Sequence, residues 1–92
     1  MTIRISRHNE VRAFRRACTA AGLRLEASQG TYTVHRLGHR ITVGYRDGRW
    51  ELGPCPLTQT AAVSVPASSP ARLLPDLTDR LDAMSAIRHR AA

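Results

Sequence analysis

LRLEASQGTYTVHRLGHRITVGYRDGRWELG, residues 23–53, decides the fold. Gln29-Gly30, Gly38-His39 and Asp47-Gly48 are two-residue turn signals that divide it into four short runs. The first turn pairs Ser28 with Thr31, Ala27 with Tyr32 and Leu25 with Val34. The second, placed at Gly38-His39, pairs Leu37 with Arg40, Val34 with Val43 and Tyr32 with Tyr45. The third pairs Arg46 with Arg49 and Tyr45 with Trp50. Each turn hands the same face forward. Leu23, Leu25, Ala27, Tyr32, Val34, Ile41, Val43, Tyr45, Trp50 and Leu52 share one side, a core face. Arg24, Glu26, Thr31, Thr33, His35, Arg40, Thr42, Arg46, Arg49 and Glu51 share the other, with Leu37 as its one large apolar member. A slip of one residue would flip every side chain, so this separation argues for a four-stranded antiparallel meander.

Working outward, residues 8–21 carry a helical stripe of Val11, Phe14, Ala17, Cys18 and Ala21 opposite Arg12, Arg15, Arg16 and Thr19, and Gly22 stops the helix. Before it, residues 2–6 alternate Ile3 and Ile5 with Arg4, the period of a short edge strand. Past Gly53 the texture changes. Pro54, Pro56, Pro66 and Pro70 with several serines mark residues 54–70 as mainly a connection, in which residues 61–65 could form a further edge strand. A second helix is expected from about Pro75, with Leu77, Leu81, Met84 and Ile87 buried, Asp76 and Asp79 near its start and basic residues at its end. The expected fold is α+β, in the order β-α-β-β-β-β-α, with two helices covering one face of the meander. At 92 residues the chain has room for one domain, residues 1–92, around one modest core.

The charge is uneven. All 14 basic residues are arginine, and the formal net charge is +7. Residues 1–49 hold ten arginines against Glu10, Glu26 and Asp47, so the whole excess lies in the first half, and the isoelectric point is near 11.3. Such a field favours an anionic partner, nucleic acid first and an acidic protein surface second. The absence of lysine and the richness in alanine also fit a GC-rich codon usage. Residues 1–6 are polar and alternating, and no apolar run approaches the roughly 18 residues a membrane span needs. A soluble, cytoplasmic protein is expected, with no membrane partner.

Arg24, Arg40, Arg46 and Arg49, with His35 among them, make the open sheet face the leading candidate site, because guanidinium groups take phosphates in bidentate fashion. Arg12, Arg15 and Arg16 form a second basic cluster on the first helix. Both also read as ordinary solvated faces, with Glu26 and Glu51 neutralising neighbours on the sheet. The aromatic residues Tyr32, Tyr45 and Trp50 fall on the core face, away from any stacking role. His8, His35, His39 and His89 are scattered, without metal-ligand spacing, and Cys18 and Cys55 stand 37 positions apart, so neither a metal, a cofactor nor a disulfide is expected. No nucleophile motif or phosphate loop is present. His35 could assist phosphodiester cleavage, but cross-strand polar neighbours arise from alternation alone.

In topology, a helix, a meander and a closing helix resemble double-stranded RNA-binding-like folds, including HicA-type mRNA interferases. The motifs depart from that pattern. Gly30 is followed by Thr31 and Tyr32 where the toxins carry histidine, and the closing helix opens with Asp76, Asp79 and Asp82 where the RNA-binding domains are lysine-rich. The expected function is therefore a non-catalytic binding module for nucleic acid. The alternative is an inhibitor or adaptor that docks on an acidic protein or pairs with itself as a homo-oligomer.

Overall fold

The computed structural model describes residues 7–91, so the strand expected at residues 2–6 lies outside the described residues. The first helix, α1 (Arg7–Ala20), buries Phe14 and Cys18 and half-buries Val11 and Ala17. Ala21 is exposed, because the helix ends one residue before it. There the Gly22 N–H reaches the Thr19 carbonyl at 3.1 Å and the Leu23 N–H reaches the Cys18 carbonyl at 2.8 Å. Gly22 supplies the left-handed residue, φ +76°, that this paired closure requires.

Five antiparallel strands follow in simple order, β1 (Arg24–Ser28), β2 (Thr31–Arg36), β3 (His39–Arg46), β4 (Arg49–Leu52) and β5 (Val63–Pro66). The β1–β2 and β3–β4 registers are those expected, with Leu25 opposite Val34 and Tyr45 opposite Trp50. The β2–β3 register differs. Its turn is Leu37-Gly38, so Arg36 pairs with His39, His35 with Arg40, Val34 with Ile41 and Tyr32 with Val43. The reason lies in the turn. Gln29-Gly30, Leu37-Gly38 and Asp47-Gly48 all hold positive φ at both central residues, with glycine always second. That is the form whose twist matches the strands. Because the shift from the expected register is two residues, each side chain of β2 and β3 stays on its expected face. Leu37 alone changes place, from the sheet face to the turn, where it is 84% exposed at φ +51°.

The sheet also gains a strand. β5 pairs with β4 through Trp50 opposite Val65 and Glu51 opposite Ser64. Residues 54–70 are therefore not only a connection. Val65 is buried, and Ala67 beside it closes the core edge, its N–H bonded to the Gly48 carbonyl at 2.8 Å. The edge strand offered at residues 61–65 is thus present, shifted to Val63–Pro66, with Val65 as its one buried side chain.

A 3₁₀ turn, Pro70–Leu73, leads into α2 (Leu74–Ala91). Leu73, Leu74, Leu77 and Leu81 are buried and Met84 partly so, whereas Ile87 is 47% exposed. Both helices pack on one face of the sheet around a single core cluster. Its centre is Trp50, fully buried, with ring centroids of Phe14 at 4.7 Å, Tyr45 at 5.0 Å and Tyr32 at 5.1 Å. The two tyrosines meet it edge-on, the arrangement that aromatic quadrupoles favour. Ala27, expected in this core, is exposed on the edge strand β1.

Candidate functional site

Among the described residues no helix covers the opposite face of the sheet, and the strand registers fix what it displays. Arg24, His35 and Arg40 stand directly opposite one another on β1, β2 and β3. Directly opposed residues in such a ladder have Cβ atoms about 5 Å apart, so the row spans about 10 Å with the imidazole in the middle. The revised β2–β3 register creates this row. In the expected register His35 faced Thr42 and Arg40 was only diagonal to it.

Each member of the row differs in its attachments. The Nε2 of His35 lies 3.1 Å from the Glu26 carboxylate. That nitrogen is shielded from solvent and lacks the alignment of a hydrogen bond. Arg24 and Arg40 are exposed, and among the described residues neither has an ion-pair or hydrogen-bond partner.

At the far end of the same face the arginines are occupied. Arg46 lies 3.3 Å from Glu51. Arg49 donates from Nε to the Ser64 hydroxyl at 2.7 Å and from Nη2 to the Ser64 carbonyl at 3.1 Å. Between β3 and β5 a shallow hollow of about 410 Å³ is lined by Thr42, Gly44, Glu51 and Ser64, among others. A carboxylate in its wall makes it a poor seat for an anion. The open face is thus graded, free cations at the β1–β3 end and internally bonded ones at the β4–β5 end.

Arg12, Arg15 and Arg16 do not join this site. They are exposed on α1, whose Phe14 and Cys18 point into the core. Positions 12, 15 and 16 therefore look away from the sheet, on the other side of the molecule. Glu10, the acid of α1, accepts a 2.7 Å hydrogen bond from the Tyr45 hydroxyl, and the Arg7 guanidinium sits 4.7 Å over the same ring. The Glu10 contact, then burial, raises the Tyr45 phenol above its ordinary pKa.

Three residues gain roles that alternation and stripe counting do not reveal. Arg36 falls on the helix side of β2 and pairs with Asp82 of α2. Arg80, on the inner face of α2, is only 5% exposed and donates to the carbonyls of Gly53 at 2.6 Å and Ala61 at 3.3 Å. It ties down both ends of the β4–β5 excursion, which is itself closed by reciprocal backbone bonds between Cys55 and Thr60. The third is Cys55. Hydrogen bonds from the Thr58 hydroxyl and backbone N–H lower its thiol pKa, whereas burial pushes Cys18 up to about 11. Both thiols are free.

Among the described residues no cluster of three metal-ligating side chains occurs, and no helix is long and apolar enough to cross a membrane. Comparison of the chain with protein-family models, with curated proteins and with solved structures gives no match.

Proposed function

We propose that the protein is a non-catalytic nucleic-acid-binding module that contacts phosphates through its open sheet face, with Arg24 and Arg40 as the leading contacts. One observation carries this reading. These two guanidinium groups flank His35 in a single row and have no partner among the described residues, while Arg46 and Arg49 on the same face are already bonded. A free guanidinium can take a phosphate without first giving up an existing hydrogen bond. The face around the row is hydroxyl-bearing, with Thr33 opposite Thr42 supplying neutral donors for sugar and phosphate oxygens.

An acidic protein surface is the second reading, favoured by Leu37. A large apolar side chain held out at a hairpin tip beside Arg40 is the form of an interface anchor, where binding energy concentrates. Duplex binding unchanged by Leu37→Ala agrees with the first reading. A large loss on that change alone agrees with the second.

The test is charge-matched. Fluorescence anisotropy with a short DNA duplex and a single-stranded RNA compares Arg24→Ala, Arg40→Ala and Arg49→Ala, each of which removes one charge. Arg24→Ala and Arg40→Ala should each weaken affinity by about threefold to tenfold, up to about 1.4 kcal/mol, and Arg49→Ala by less. Equal losses at all three positions would refute a site centred on the row.

A further inference from the structure

The outward face of α1 has the same chemistry as the row and lies on the reverse of the molecule. Arg12, Arg15 and Arg16 stand at helical spacing i, i+3 and i+4, so their side chains form one ridge with neighbours about 5–6 Å apart. With Thr19 and Ala20 they line a hollow of about 500 Å³. No acidic residue shares the ridge, because Glu10 is turned to Tyr45. Among the described residues none of the three arginines has an ion-pair or hydrogen-bond partner. A ridge of free guanidinium groups of one sign matches the charge of a phosphate backbone.

Distance and stiffness decide what two such faces can do. A sheet layer and a helix layer place the surfaces about 20 Å apart, more than two Debye lengths at physiological salt, where each is about 8 Å. Polyanions on the two faces are therefore screened from one another. A duplex, with a persistence length of about 150 bp, cannot curl around a body this thin to meet both. Occupancy of both faces requires two duplex segments.

We infer that the outward face of α1 is a second duplex-binding surface, so that one molecule joins two segments of double-stranded nucleic acid. The inference rests on the sheet-face reading for its first contact and assigns α1 the second. The experiment captures a biotinylated duplex on beads with the full-length protein in limiting amount and measures co-capture of a second, fluorescent duplex. In parallel, anisotropy records binding of one duplex. The parent protein should co-capture the fluorescent duplex. Arg12→Gln/Arg15→Gln/Arg16→Gln and Arg24→Ala/Arg40→Ala should each reduce co-capture to the level without protein, while each still binds a single duplex through its remaining face. Glutamine keeps the helix-forming side-chain stems, so loss of co-capture with single-duplex binding intact is not a folding failure. Co-capture that survives the α1 substitutions overturns the inference, because copies would then be joining through some other surface. A parent that binds one duplex and co-captures none overturns it and leaves the sheet-face reading standing. No binding of any duplex at low salt removes both.

Discussion

Cys18 and Cys55 differ in what surrounds their sulfur atoms, and that difference is open to direct test. Cys18 is fully enclosed by the α1–sheet core, and burial raises its pKa from 9.0 to about 11. Cys55 sits half-buried in a loop where Thr58 stabilises the thiolate. At pH 8 an alkylating reagent should therefore modify one thiol quickly and leave the second untouched until denaturant is added; equal rates would contradict this placement. The sign of the stability effect follows. Because the folded pKa of Cys18 is the higher, its contribution is intact below pH 9 and is lost as the pH rises from 9 toward 11. Denaturant midpoints should fall over that window, less so in Cys18→Ala. At this scale the sequence was informative about Cys18, which lies on a clear stripe, and about the open-face arginines, which alternation alone assigns. It was silent on which arginines are free. Pairing depends on carboxylates and hydroxyls brought in by other strands, such as Glu51 to Arg46 and Ser64 to Arg49.

The β2–β3 hairpin shows how an element can be placed on the correct face and in the wrong register. Turn glycines mark the loop, but both Gly38-His39 and Leu37-Gly38 keep apolar residues together, since the two differ by an even shift. The structure selects the second, at the expense of a leucine held at positive φ, a position where Asn or Gly is ordinarily found. Leu37→Asn should therefore stabilise the fold by about 0.5–1 kcal/mol, read from chemical denaturation. Destabilisation would mean that the leucine has packing the exposed tip does not show. In the β4–β5 excursion, Arg80 donates to two carbonyls from opposite ends of the loop. Arg80→Ala should cost about 2–4 kcal/mol and raise hydrogen exchange across residues 53–62; exchange confined to α2 would count against a tethering role. The tethering role of Arg80 is not legible in the sequence, and β5 is legible only as the edge strand offered at residues 61–65. An arginine within a helix that opens with acids reads as solvent-facing, and a four-residue strand that ends on Pro66 in a proline- and serine-rich stretch reads mainly as a connection.

Across the whole molecule, charge and topology combine into two basic faces with a core between them. The sequence locates the charge excess in its first half, and the meander with its two covering helices follows from the alternation and stripe patterns. What those patterns do not supply is the row of Arg24, His35 and Arg40, which exists only in the observed β2–β3 register. The two guanidinium groups of this row are the proposed phosphate contacts. The most direct measurement is the slope of log affinity against log salt for a short DNA duplex, taken in the Arg12→Gln/Arg15→Gln/Arg16→Gln background, which leaves the sheet face as the binding surface, with and without Arg24→Ala/Arg40→Ala. Each phosphate contact contributes about 0.9 to that slope. The double variant should therefore show a slope shallower by about two, with weaker binding at every salt concentration. A slope unchanged by the two substitutions, or no duplex binding by the parent at low salt, would contradict phosphate contact at this row.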